Sequence, residues 1–146
     1  MQELVKTYEV NDHDNIITFL NGVTTLESID ERVLKHGVYL HRHNEIIGMV
    51  SYEIFDQVGM IRYFIYNQTV TAELIINLFF RLYYEAKEAG IRQLVSVATT
   101  NHAKHLFEML GFIKTTNTGL TDSLNVSNKD VSVMVIDLAS SIVYED

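Results

Sequence analysis

The chain has 146 residues, 47% hydrophobic and 21% charged, a balance that excludes disorder, collagen and coiled coil and predicts one domain, residues 1–146. Cysteine and proline are both absent, which excludes disulfides, thiolate nucleophiles and zinc–cysteine sites. Eleven Lys and Arg against nineteen Asp and Glu give a net charge of −8, which works against nucleic acid or an anionic membrane as partner.

Residues 2–10 mix apolar and polar side chains and suit a first strand. Asp12 or Asp14 is placed to cap a helix running through Leu20, with Gly22 ending it. Thr24-Thr25-Leu26-Glu27 has the form of a capping box, and Leu26, Ile29, Val33 and Leu34 follow at helical spacing, so a second helix is predicted up to Gly37. The period then changes to two. Val38 to Arg42 reads as a strand, His43-Asn44-Glu45 as a turn, Ile46 to Phe55 as a second strand and Gly59 to Tyr66 as a third, an antiparallel meander.

The strongest helix is predicted over Ala72 to Ala89, where Leu74, Ile75, Leu78, Phe79, Leu82 and Ala86 form a wide apolar stripe and Gly90 stops it. Ile91 to Ala98 alternates as a strand, and a shorter helix runs from about Asn101 to Leu110, before Gly111. Two more strands are predicted around Phe112 to Thr116 and Val131 to Leu138, with a polar loop between them. A helix joining the strands at 59–66 and 91–98 implies one right-handed parallel crossover in an otherwise antiparallel sheet. The expected class is α+β, a mixed twisted sheet with one βαβ unit and flanking helices.

No stretch reaches the ~18–20 apolar residues of a membrane span. Met1 to Leu4 has neither the basic region nor the apolar run of a secretory signal, so a cytoplasmic protein is expected. His41 and His43 are read on one strand face, and His102 and His105 lie three apart on a helix. With no carboxylate motif or cysteine beside them they read as ordinary surface histidines, and no metal site is expected. Phe79-Phe80 and Tyr83-Tyr84 recur along the long helix, so one of each pair faces away from the sheet. That leaves Phe80 and Tyr84 to a neighbouring helix or to a homodimer contact.

The stretch Ala103-Lys104-His105-Leu106-Phe107-Glu108-Met109-Leu110-Gly111-Phe112 resembles the helix-to-strand ending of the GNAT acetyltransferases. Asn44-Glu45-Ile46-Ile47-Gly48-Met49-Val50 is similar to that family's turn and third strand, and Gly90 after a helix rich in Ala, Lys and Glu also fits. The resemblance implies a GNAT-like acyl-CoA N-acyltransferase fold, with the sheet splayed between the strands at 59–66 and 91–98. It further implies an N-acetyltransferase that uses acetyl-CoA as co-substrate and a small-molecule or peptide amine as acceptor. On that resemblance Ile65 and Tyr66 present backbone to the pantetheine arm. Val70, Thr71, Ala72, Glu73, Leu74 and Ile75 offer amides to the pyrophosphate, Asn101 lies beside the thioester, and Lys104 reaches toward a phosphate.

The chain departs from the family pattern at three points. The loop that should hold the pyrophosphate has neither glycine nor a basic residue, and Glu73 stands where phosphate should lie. Phe107 occupies the position of the tyrosine that protonates the departing thiolate in many members. Thr100 replaces the expected asparagine, with Asn101 beside it. Together these keep open a second reading, a catalytically silent GNAT-fold binding or regulatory module.

Two further groups carry paired readings. Thr69 and Thr71 are either hydroxyl donors to a phosphate or helix caps. Glu53 is either a general base for the acceptor amine or a solvent-facing strand residue, and Arg62, beside Tyr63 on the next strand, either meets a substrate carboxylate or pairs with Glu53 across the strands.

Overall fold

The computed structural model describes residues 3–24, 26–115 and 132–138. The alternating run beginning at Gly37 forms β2 (Gly37–Arg42) and β3 (Glu45–Phe55), joined at His43 and Asn44. Both turn residues have positive φ, 53° and 65°, the left-handed pair that matches a tight hairpin to the strand twist. The turn is therefore shorter than the sequence suggested, and His43 sits in it and not on a strand face with His41. β1 (Glu3–Thr7) pairs antiparallel with β2, from Glu3 opposite Arg42 to Thr7 opposite Val38. The β2–β3 register shifts between Leu40 and His41, a bulge.

By its contacts the chain divides into two compact units, residues 1–53 with 62–86, and residues 54–61 with 87–146. In the first, α1 (His13–Asn21) buries Ile16 and Leu20 against Leu34, Tyr39, Ile46 and Met49. Its start differs from expectation. A 3-10 turn, Val10–Asp12, precedes it, and the Asp12 side chain forms no cap, pointing instead to Lys6 Nζ at 3.5 Å. Gly22 follows the helix at φ −78°, a conformation open to any residue.

The predicted second α-helix is replaced by a six-residue 3-10 helix, Glu31–His36. Asp30, not Thr24, caps it, its Oδ1 accepting the Arg32 N–H at 3.1 Å. The Asp30 N–H in turn donates to the Tyr63 hydroxyl at 2.8 Å. Pinned there, with β2 beginning at Gly37, the chain has room for two tight turns and no α-helix. Thr25 of the supposed capping box lies outside the described residues.

β4 (Val58–Tyr66) leads into α2 (Ala72–Glu88), which buries Ile75, Leu78, Phe79, Leu82 and Ala86, the predicted stripe except for Leu74, which is only partly covered. Phe80 and Tyr84 lie 62% and 60% exposed, as the doubled aromatics implied. β4 is covered on both faces within this unit. Tyr63 and Ile65 pack on the α1 core, while Phe64 meets Phe79 edge-on at 4.8 Å.

The second unit holds β5 (Gln93–Ala98), α3 (Asn101–Met109), β6 (Ile113–Lys114) and β7 (Ser132–Asp137). β5 pairs parallel with β4 over Val58–Met60 and Gln93–Val95, and antiparallel with β7 along its whole length. Met60, Val95, Val133 and Val135 form its core. Gly90 (φ 88°) follows α2 and Gly111 (φ 102°) follows α3, at backbone angles where L side chains are strained. β6 starts one residue later than predicted, because Phe112 turns inward against Phe107, and Thr116 lies outside the described residues. The polar loop lies outside the described residues.

The seven strands make one mixed sheet in the order β1-β2-β3-β4-β5-β7-β6, with β4–α2–β5 as its βαβ unit. Among the described residues no helix is long and apolar enough to cross a membrane.

His41, at the bulge, is 7% exposed, and its Nε2 lies 3.9 Å from Asp12 Oδ2. Both atoms are buried without a hydrogen-bond partner among the described residues. Burial lowers the His41 pKa, opposed by the carboxylates of Asp12 and Glu9 and assisted by Lys6. A histidine whose folded pKa lies below its unfolded value, ~6.5, binds fewer protons when folded, so its contribution to stability is complete above that pH and is lost as pH falls through the window beneath it. Urea unfolding between about pH 7.5 and 5.5 is expected to show falling stability, with a shallower slope in His41→Gln; parallel slopes would show that His41 does not carry the effect.

Candidate functional site

The C-terminal half of α1, the β2–β3 turn and the end of β4 enclose a cleft of about 420 Å³ within the first unit. Phe19, Val23, Ile46, Ile47, Ile65 and Tyr66 give it an apolar wall, and Asn15, Thr18, Asn44, Glu45 and Asn67 give it a polar rim. Glu45 is its one carboxylate, and no Lys or Arg is among the described residues that line it. Ile65 and Tyr66, the two residues expected to meet pantetheine, are thus in a cleft large enough for a small ligand. Gly48 lies where a Cβ would come within 3.3 Å of the Tyr66 Cβ, so the strands approach closely beneath this wall.

The chain leaves β4 through a compact turn. Asn67 N–H donates to the Ile47 carbonyl at 2.8 Å, and Asn67 Oδ1 accepts from the Thr69 N–H at 3.0 Å. Thr71 then caps α2, its Oγ1 accepting from the Leu74 N–H at 3.3 Å and its carbonyl from the Ile75 N–H at 3.1 Å. Val70 N–H donates to the Asn67 carbonyl. Of the six residues expected to offer amides, Val70, Leu74 and Ile75 therefore use theirs internally, and Thr71, Ala72 and Glu73 supply the open N–H groups of the helix start. Glu73 is exposed on the first turn.

A basic group reaches this loop from a distant part of the chain. Arg42, at the end of β2, donates from Nε to Glu3 Oε2 and from Nη1 to Thr69 Oγ1, each at 2.8 Å. No local motif contains it, because Arg42 and Thr69 meet only through the sheet.

Glu53 and Arg62 form the cross-strand pair, with Arg62 Nε 2.6 Å from Glu53 Oε1. Arg62 Nη2 approaches the same oxygen, so among the described residues Oε2 has no hydrogen bond. Arg32 grips Asp30 side-on, Nε to Oδ1 at 3.0 Å and Nη2 to Oδ2 at 2.8 Å.

In the second unit, Thr100 caps α3, its Oγ1 accepting from the Ala103 N–H at 3.0 Å. Asn101 is exposed on the first turn and Lys104 is half-buried. Phe107 is 5% exposed and stacks edge-on against Phe112 at 5.2 Å, a core position with no proton to give. The sequence reading missed Arg42, Arg32 and the Asp30–Tyr63 contact. The visible signal for Arg42 was a cation ending an otherwise apolar strand.

No family model matches the sequence, and neither does any curated protein. Solved structures do match. A probable acetyltransferase from Staphylococcus epidermidis aligns over 93% of this chain and 99% of its own, at TM-score 0.69 and 14% identity. A GNAT-family acetyltransferase from Streptococcus pneumoniae covers 93% and 99%, at 0.68 and 18%. N-acetylglutamate synthase from Neisseria gonorrhoeae, solved with coenzyme A and N-acetyl-glutamate, aligns over 94% of this chain at 0.72 and 15%, and this chain spans 35% of its length. The chain therefore has the GNAT acyl-CoA N-acyltransferase fold. Its sequence is distant from these structures, at 14% to 18% identity.

Because the Thr71 side chain is the cap at the start of α2, Thr71→Ala is expected to lower stability by about 1 kcal/mol in urea unfolding. No loss would mean that the hydroxyl does not hold the helix start.

Proposed function

We propose that this protein is an N-acetyltransferase that moves the acetyl group of acetyl-CoA to a small-molecule or peptide amine in the cytoplasm. The observation that supports it most is the cleft bounded by Ile65 and Tyr66 in a chain with the GNAT fold. Pantetheine runs beside these two residues, and the pyrophosphate meets the open amides of Thr71, Ala72 and Glu73 at the helix start. Arg42, held on Thr69, supplies the positive charge that the loop itself lacks.

The acceptor nitrogen, as the free amine, attacks the thioester carbonyl. A C–N bond forms, the C–S bond breaks, and the electron pair leaves on the CoA thiolate. Glu53 Oε2 takes the nitrogen's surplus proton, and solvent protonates the thiolate, since Phe107 has none to give. A positioned general acid is typically worth 10²–10⁴-fold, so turnover without one is slow and not abolished.

A second reading, a silent module of the same fold, is favoured by the buried Phe107 and by the charge of Glu73 at the helix start. Ligand binding separates the two. Acetyl-CoA at 100 times its dissociation constant is expected to stabilise the fold by ~2.7 kcal/mol in a thermal-shift titration, whereas no shift at millimolar ligand supports the silent module.

The loop makes a sharper prediction. Glu73→Gly removes a negative charge and a side chain from the approach to the pyrophosphate, and calorimetry is expected to show acetyl-CoA binding tightened at least about tenfold. The helix start loses ~1 kcal/mol at most. Unchanged affinity would mean that the Glu73 side chain points away from the ligand.

A further inference from the structure

Three side chains outside the cleft form a hydrogen-bonded chain. Tyr8 directly follows β1, His13 opens α1 and Glu31 opens the 3-10 helix. The 3-10 turn Val10–Asp12 doubles the backbone over so that Tyr8 and His13 meet. The Tyr8 hydroxyl lies 2.9 Å from His13 Nδ1, and His13 Nε2 lies 2.9 Å from Glu31 Oε1. The tyrosine ring is braced from behind. It packs on the α1 core beside the buried Tyr39, 6.4 Å between ring centres, and meets the imidazole edge-on at 6.1 Å. All three residues belong to the first unit.

The donors fix the direction of each hydrogen. A carboxylate at neutral pH only accepts, so Nε2 carries the imidazole hydrogen and donates it to Glu31. That leaves the lone pair on Nδ1, and the Tyr8 O–H donates to it. In the order carboxylate, imidazole, hydroxyl, the ring takes the hydroxyl hydrogen as the oxygen attacks, and the carboxylate stabilises the imidazolium that forms. His13 and Glu31 keep 32% and 63% of their side chains exposed, so a small reagent can reach the chain from solvent.

We infer that Tyr8 is a nucleophile that takes an acyl group from an activated ester, with His13 as its base and Glu31 as the residue that positions the imidazole. The bond from the Tyr8 oxygen to the acyl carbon forms, the ester C–O bond breaks, and the electron pair leaves on the ester oxygen. The Tyr8 proton passes to His13 Nδ1 and from there to solvent. Tyr8 lines no part of the cleft, so the donor brings its own activation, a leaving group less basic than a tyrosinate, as in a nitrophenyl ester. None of this depends on the acetyltransferase reading above.

The test treats the full chain with p-nitrophenyl acetate at neutral pH, follows nitrophenol release and locates the acetyl group by peptide mass spectrometry. Tyr84 is the internal reference. At 60% exposure it is more open to reagent than the half-buried Tyr8, and among the described residues its hydroxyl has no hydrogen bond to a base. Tyr8 is expected to be acetylated at least about tenfold faster than Tyr84, since a positioned base is typically worth 10²–10⁴-fold. His13→Gln should bring Tyr8 down to the rate of Tyr84 or below and leave Tyr84 unchanged. Glu31→Ala should fall between, and nitrogen NMR of the His13 ring should show the Nε2-protonated form of the wild type give way to a mixture of tautomers. Equal labelling of Tyr84 and Tyr8 would overturn the proposal, and so would Tyr8 labelling that survives His13→Gln. Nitrophenol release that persists in Tyr8→Phe would assign the attack to the imidazole and overturn it as well. A tautomer unchanged in Glu31→Ala would remove the role given to Glu31.

Discussion

β4 is packed on both faces, and much of the first unit follows from that constraint. Tyr63 and Ile65 fill one side against the α1 core, and Phe64 fills the other against Phe79. A strand covered on both sides has little room for charge along its length, because an unpaired buried charge costs more than packing returns. The two-sided packing covers residues 63–65, and polar groups stand on either side of that stretch. Arg62 stands before the apolar run with its charge neutralised by Glu53, and Asn67 follows it and turns the chain into α2. The end of that stretch, Ile65 and Tyr66, lines the cleft.

The starts of the helices repeat the same economy. Asp30, Thr71 and Thr100 each take one orphan N–H with a side-chain oxygen. Asp12 stands in the same position before α1 and does not, because its carboxylate turns toward Lys6 and His41. Asp30 caps while also holding the Arg32 guanidinium, whereas at Asp12 the charges take the carboxylate from the cap and α1 begins from a 3-10 turn instead.

Most of the fold was legible in the sequence because its signals are local. Period two marks the meander, and a wide stripe with glycine beyond it marks α2. Residues 24–36 misled for a physical reason. Leu26, Ile29, Val33 and Leu34 keep helical spacing, yet Tyr63, far along the chain, fixes Asp30 and delays the helix until only a 3-10 form fits. The candidate site divides in the same way. Ile65, Tyr66 and the loop at Thr71 are contiguous and were readable, as was the Glu53–Arg62 pair as one of two alternatives. Arg42 reaches Thr69 across 27 residues, and such a contact exists only once the sheet has formed. That residue 107 has no proton to give was visible in the sequence; that its phenyl belongs to the core was not.

The corner at Gly37 links backbone geometry to the chemistry of a side chain it never touches. The Tyr39 ring, wholly buried, folds back so that its hydroxyl donates to the Leu34 carbonyl at 2.6 Å, and it occupies the volume that a side chain on Gly37 would need. Even a methyl group there would come within 2.6 Å of the phenol oxygen. The ring acts as a wedge between the 3-10 helix and β2, and that helix carries Arg32 and its cap, Asp30. A side chain at residue 37 would have to displace the ring that braces the 3-10 helix, so the one residue without a side chain sets where that helix and its Asp30–Arg32 pair are held.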